Sequence, residues 1–266
     1  MTAGAEMKGY EEQKPPASMA DAVDAFWRYS APPHDAGTGP ELHRILPDGC
    51  TDLIFRFRAT GGPVWLADPA LVVVGPMERF ALVSIEPGSV SLGIRFKPGW
   101  AIPLLGVSPR ELRGLSVPVA DCSPALAQLQ RQLEDCRSPA EAQARLQESV
   151  TRRLASFQQA PRPRATQALR WLQSSGGQVR MSSLARTLGV SERTLHRDVL
   201  DEAGVPPKLL ARVLRFQRAV ALLRSGGGGE DLSAVALACG YADQAHLSRE
   251  VRDLAGLTPT ALQLEG

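Results

Sequence analysis

Hydrophobic periodicity changes twice along this chain. Between residues 42 and 97 apolar and polar positions alternate: in Asp52 to Arg58, Leu53, Phe55 and Phe57 fall on one side and Ile54, Arg56 and Arg58 on the other. Val64 to Leu66, Leu71 to Val74, Ala81 to Ile85 and Val90 to Phe96 continue as short strands. Breakers at Asp48-Gly49, Gly61-Gly62-Pro63, Gly75-Pro76 and Pro87-Gly88 separate them. These intervals suit an antiparallel meander that closes as a small β-barrel or sandwich.

Before the strands, Met1 to Met19 is polar and carries Pro15 and Pro16, which predicts a disordered tail. Ala20 to Tyr29 predicts a short helix with Val23, Phe26 and Trp27 inward. After Lys97-Pro98-Gly99 the period becomes helical. Pro109 to Leu115 reads as a short helix, Pro124 to Cys136 sets Leu126, Leu129 and Leu133 in register, and Pro139 to Phe157 does so with Leu146, Val150 and Leu154. Such helices either cover the β domain or pair with a second subunit.

The C-terminal part is organised by one pattern that occurs twice. In residues 232 to 259, LSAVALACGYADQAHLSREVRDLAGLTP, a first helix buries Leu232, Val235, Ala236 and Ala238 and stops at Gly240. Asp243 then offers a cap to a second helix whose Leu247, Val251 and Leu254 share one face, leaving Ala245, His246, Ser248, Arg249 and Arg252 pointing elsewhere. In residues 181 to 207, MSSLARTLGVSERTLHRDVLDEAGVPP, Ala185 and Gly189 stand where Ala236 and Gly240 stand. Ser191 is the cap, Leu195 and Val199 are the buried pair, and Arg193, His196 and Arg197 form the outward set. From Gly189 to Leu195 is six positions and from Gly240 to Leu247 seven, so the copies are related but not identical. Between them Pro207 to Leu223 is a long helix with Val213, Phe216 and Val220 on its buried face, about 25 Å at 1.5 Å per residue.

A short helix braced by a preceding one and presenting arginine outward is what insertion into a DNA major groove requires. On the strings GVSERTLHR and ACGYADQAHLSREVRDLAGLTP, residues 164 to 264 resemble the tandem helix-turn-helix domain of AraC-family transcription regulators. The resemblance implies double-stranded DNA as partner. It gives groove-facing roles to Arg193, His196 and Arg197 in the first unit, and to Gln244, Ala245, His246, Ser248 and Arg249 in the second. It also implies a cupin-like β domain ahead of the DNA-binding part, a small-molecule effector or partner acting there, and a homodimer formed through that half.

The expected fold is therefore α+β: residues 1–19 a disordered tail, 20–160 a β-rich sensing or dimerisation domain with flanking helices, and 161–266 an all-α tandem helix-turn-helix domain. The linker Ala160 to Pro163 carries prolines, and Arg162 and Arg164 beside it are placed to reach phosphates. Gly226 to Gly229 before the second unit is a flexible connector by composition.

Charge adds little to this picture. The net +2 conceals 14 Lys+Arg against 10 Asp+Glu in residues 161–266 and 16 against 18 before them; the placement of arginines matters more than this surplus. Cys50, Cys122, Cys136 and Cys239 have neither CxxC spacing nor histidines at zinc-finger distances, so no disulfide framework and no metal are expected. No cofactor is expected either. Without a signal-type segment or a run of 18 apolar residues, the chain is expected to be cytoplasmic and not membrane-bound.

In the first half the polar and aromatic candidates near a barrel mouth are Arg56, Arg58, Arg79, Arg95, His43 and Trp65, each compatible with the outer face as well. Two further readings of that half stand beside effector sensing. One is a domain that only dimerises or contacts RNA polymerase; the other is an enzyme built on Cys50 and His43. Against the enzyme, Asp48 and Asp52 flank Cys50 and raise its pKa.

Overall fold

The computed structural model describes residues 9–32, 40–60, 66–156, 163–225 and 231–264. Eight strands form its N-terminal part: β1 (Tyr10–Gln13), β2 (Val23–Ser30), β3 (Glu41–Ile45), β4 (Thr51–Ala59), β5 (Leu66–Val74), β6 (Ala81–Ile85), β7 (Ser89–Phe96) and β8 (Ser116–Pro118). Six make one antiparallel sheet in the order β1-β2-β7-β4-β5-β8, and β3 pairs only with β6. This is not the meander that the turn spacing suggested. β7, though it follows β4, β5 and β6 in the chain, lies between β2 and β4, and the strands that precede and follow the β4–β5 hairpin pair with each other, as in a wound double-sheet jelly roll.

One face of the large sheet carries Phe26, Leu53, Phe55, Phe57, Leu71, Val73, Leu92, Ile94 and Phe96, all buried. Three helices cover it: α1 (Ala101–Leu105), α2 (Pro124–Glu134) and α3 (Pro139–Ser156). Leu126, Leu129 and Leu133 of α2 and Leu146 and Val150 of α3 belong to the same core as the sheet, so these amphipathic helices close the domain.

Three expectations are corrected here. The segment from Ala20 to Tyr29 is mainly the strand β2, not a helix. A β-bulge shifts its register between Val23 and Ala25, so Val23 and Phe26, three apart, both join the core, and a strand acquires helix-like spacing. Residues 1–19 are not wholly a disordered tail: β1 pairs with β2 from Tyr10↔Tyr29 to Gln13↔Phe26, Tyr10 lies 6.0 Å from the ring of Trp27, and Met19 is buried. Pro109 to Leu115 forms turns that end at Gly114 (φ 69°), after which β8 adds to the edge of the sheet.

The second face of the large sheet is polar at its centre. Trp27 lies over Gly93, where any side chain would collide with the indole, and its Nε1 donates to Asp52 Oδ1 at 2.9 Å. Arg95 sits among three carboxylates: Asp48 at 3.1 Å, Glu12 at 3.3 Å and Asp52 at 3.7 Å. Its side chain is only 14% exposed. Burial pushes Asp52 up to about 7 although Arg95 pulls the other way, and burial likewise raises Asp48. Asp48 also accepts from the Cys50 amide at 2.9 Å, which fixes the β3–β4 loop against the sheet.

The C-terminal part is all helical: α4 (Pro163–Ser174), α5 (Met181–Thr187), α6 (Glu192–Ala203), α7 (Pro207–Ser225), α8 (Leu232–Ala238), α9 (Gln244–Ala255) and α10 (Pro259–Leu264). It has two cores. Leu172, Leu184, Leu195, Val199 and Leu210 lie in the first, and Phe216, Val220, Val235, Leu247, Val251 and Leu254 in the second. α7 contributes to both. The β3–β4 loop touches that helix: Gln217 donates to the Pro47 carbonyl at 2.6 Å. A Cβ on Gly49 (φ 77°) would come within 2.6 Å of Leu210. Among the described residues no helix is long and apolar enough to cross a membrane.

The raised Asp52 makes stability depend on pH. A carboxyl that ionises near 7 in the folded chain and near 3.8 in the free state keeps its proton longer when folded; its stabilising effect is complete below the lower value and is lost as pH rises through the upper one. We expect the urea midpoint of Asp52→Asn to depend less on pH than that of the native chain between pH 4 and 7. Parallel pH profiles would show that folding leaves the Asp52 carboxyl at its ordinary value.

Candidate nucleic-acid interface

Both helix pairs in the C-terminal part are built on the same turn. α5 and α8 each end before a left-handed glycine, Gly189 (φ 65°) and Gly240 (φ 75°). The next amide then returns to an alanine carbonyl five residues back: Val190 to Ala185 at 3.0 Å, and Tyr241 to Ala236 at 2.9 Å. The additional residue of the second unit, Ala242, falls after this bond and leaves the turn unchanged.

The caps act as their positions predict. Ser191 Oγ accepts from the Thr194 amide at 3.1 Å, and Asp243 Oδ1 accepts from the His246 amide at 2.6 Å. Each satisfies an N-terminal donor that the helix itself leaves open. The buried stripes Leu195/Val199 and Leu247/Val251/Leu254 turn the opposite faces of α6 and α9 outward.

On α6, Arg193, His196 and Arg197 are all exposed. On α9, Gln244, Ala245 and Arg249 are exposed, whereas His246 and Ser248 are half-buried. His246 is held to its own turn: its Nδ1 accepts from the Ala242 amide at 3.4 Å, and its ring meets Tyr241 edge-on at 5.2 Å. At the candidate positions the first unit therefore presents three exposed polar side chains, and the second presents fewer.

Arg197 reaches Asp198 at 3.5 Å, and Asp198, 11% exposed, faces Arg164 at 3.9 Å. Pro163, Arg164, Arg197 and Asp198 line an open groove where α4 begins beside α6. Arg162 and the rest of the expected linker up to it lie outside the described residues, as do Gly226 to Gly229.

Periodicity did not reveal what holds α9 to α7. Arg212 grips Glu250 with two nitrogens, at 3.0 Å each, and reaches Asp253 at 2.7 Å. The signal was the acidic pair one helical turn apart on α9, and it has meaning only once a partner helix is known.

The candidates in the first half behave differently. Arg56, Arg58 and Arg79 are exposed, Arg58 pairing with Asp68 at 2.7 Å. Arg95 is engaged by carboxylates, and His43 lies 3.3 Å from the Tyr29 hydroxyl. Trp65 lies outside the described residues. Cys50 is buried, and burial and then Asp48 push its thiol well above the ordinary range, the opposite of an activated nucleophile.

Comparison with known proteins agrees with this division. Residues 184–264 match the family model for a helix-turn-helix domain, and residues 11–118 match a domain of unknown function, DUF6597. No curated protein matches the chain. Among solved structures, the C-terminal domain of AraT, a response regulator from Geobacillus stearothermophilus, is 24% identical over 39% of this chain and 86% of its own, with a TM-score of 0.36. A transcriptional regulator of Chromobacterium violaceum with an AraC-type DNA-binding domain is 26% identical over 39% and 91%, with a TM-score of 0.35. ToxT from Vibrio cholerae is 11% identical over 97% and 99%, with a TM-score of 0.46. With its doubled turn and its outward arginines, the region matched by the family model is a C-terminal helix-turn-helix domain.

Proposed function

We propose that this chain is a cytoplasmic, sequence-specific transcription regulator in which α6 and α9 enter successive major grooves of double-stranded DNA, while the N-terminal β domain takes up a small-molecule effector or a protein partner. The doubled helix-turn-helix on one shared helix carries this reading. Two groove-reading helices held by α7 suit a bipartite site whose halves lie about one turn, ~34 Å, apart.

Roles within the interface follow from exposure and chemistry. Arg193 and Arg197 on α6 and Arg249 on α9 can each bond bidentately to guanine O6 and N7, worth about 1 to 3 kcal/mol of discrimination per contact. Gln244 suits adenine, and Ala245 offers only an apolar contact, as to a thymine methyl. Arg164, at the start of α4 rather than on a recognition helix, suits a phosphate. Asp198 restrains Arg197 in the free protein and yields it to a guanine.

Selection from random duplex DNA by the full-length chain, followed by anisotropy titration at two salt concentrations, tests this reading; enrichment of a two-part motif is the expected result. Arg197→Ala should relax base preference within one half-site. Arg164→Ala should weaken all sequences alike and reduce the salt slope by about one. Uniform weakening by Arg197→Ala would make it a phosphate contact instead, and binding without any sequence preference would overturn the proposal.

A further inference from the structure

The N-terminal domain touches the C-terminal ends of both recognition helices, and one short segment, residues 76–80, takes part in both contacts beside Pro109, Arg110 and Arg44. At the end of α6, Gly204 (φ 75°) abuts the domain so closely that a Cβ there would collide with the Pro109 carbonyl and come within 2.9 Å of the Pro76 ring. Arg110 pairs with Asp201 at 3.3 Å beside it. At the end of α9, a Cβ on Gly256 (φ 71°) would come within 2.5 Å of the Phe80 ring and 3.1 Å of Arg44.

The second contact is polar as well as steric. A helix leaves its last carbonyls without partners in its own ladder, and at the end of α9 the β domain supplies them. The Phe80 amide donates to the Leu254 carbonyl at 2.8 Å, and Arg44 Nη1 donates to the Ala255 carbonyl at 2.8 Å. The Arg44 guanidinium lies 4.5 Å from the centre of the Phe80 ring and sets a positive charge at the helix C-terminus, where the macrodipole favours one. Arg79 adds a looser pair to Asp253 at 3.9 Å.

The segment is itself anchored. The Gly114 amide donates to the Pro76 carbonyl at 3.0 Å and the Gly75 amide to the Leu115 carbonyl at 2.9 Å, while Glu78 pairs with Arg113 at 3.2 Å. Four residues separate Pro76 from Phe80, and a fully extended chain covers about 14 Å in that length. The end of α6 packs against Pro76 and the end of α9 against Phe80, so one short, anchored segment lies between the two helix ends.

We propose that residues 76–80, with Arg44, act as a caliper that sets the separation and tilt of the two recognition helices, so that the N-terminal domain determines which half-site spacing the protein accepts. Phe80 and Arg44 are positioning residues in this scheme and touch no base. The proposal rests on the DNA reading above and adds to it the source of spacing selectivity.

A spacing series tests it. Duplexes that carry the two selected half-sites, with the gap shortened or lengthened by one and two base pairs, are titrated with the full-length chain. The native protein should lose about tenfold in affinity for the first change of gap, the size of a typical mismatch penalty. Phe80→Ala and Arg44→Gln should flatten this profile to within about threefold, whereas Phe80→Tyr, which keeps the ring, should retain the native profile. Circular dichroism and the thermal midpoint identify variants that have lost the fold. In the DNA-free protein, faster amide exchange in α9 of Arg44→Gln than in the native chain is expected, and unchanged exchange there would overturn the proposal. Selective binding with the same spacing profile in all variants would overturn the caliper alone. Failure of the native chain to select any sequence would overturn the DNA reading and the caliper with it.

Discussion

The helix α7 is the constraint on which the C-terminal half depends. Neither helix-turn-helix unit closes a core by itself. Leu210 and Ala211 of α7 complete the first and Phe216, Ala219, Val220 and Leu223 complete the second. A helix of 19 residues buried at nine positions has little freedom to rotate or slide, because each shift would expose apolar surface in one unit or the other. Arg212 removes part of what freedom is left by gripping two carboxylates of α9. The two units are consequently tied to each other along α7, and the freedom left to α6 and α9 lies at their outer ends.

The buried charges of the β domain act on the same helix. Taking charges such as Arg95, Asp48 and Asp52 out of water carries a desolvation cost, and burial raises both carboxyls for that reason. What the cluster contributes is direction. Asp48, held by Arg95 and by the Cys50 amide, fixes the loop that presents the Pro47 carbonyl to Gln217 and Gly49 to Leu210. An apolar side chain at position 48 would pack without choosing between loop conformations. The ionised or partly protonated carboxylate chooses one, and the β domain thereby meets α7 in a single orientation.

How much of this was legible in the sequence differs between the halves for a physical reason. In the C-terminal half the signals are local: Ser191 and Asp243 cap within three residues, Gly189 and Gly240 turn within one, and leucine spacing marks each buried stripe. In the β domain the deciding contacts are long-range. Nothing near β7 announces that it inserts between β2 and β4, and the bulge at Asp24 gave β2 the spacing of a helix. Tyr10 to Gln13 gains its place only because Trp27 and Arg95 wait on the neighbouring strands. Among the candidate contacts, exposure separated those that the helical phase could not, since His246 and Ser248 share the outward face of α9 and are nonetheless half-buried, His246 against its own turn.

The two recognition helices are therefore unequal in a way that fits a division of labour. α6 presents Arg193, His196 and Arg197 to solvent, Arg197 beside Asp198, and it meets the β domain mainly through packing at Gly204 and one exposed ion pair. α9 presents fewer free polar groups and has its last carbonyls satisfied by the β domain. A change inside the β domain can thus reach α9 through backbone hydrogen bonds that must be made or broken, and reaches α6 through packing at Gly204 and the exposed Arg110–Asp201 pair. On the proposed reading, base discrimination would fall chiefly to the first unit and conformational control to the second. An effector bound in the β domain can alter DNA affinity only by the difference in its own affinity for the states with these carbonyls engaged and released. The hydrogen bonds to Leu254 and Ala255 are where that difference would be expressed.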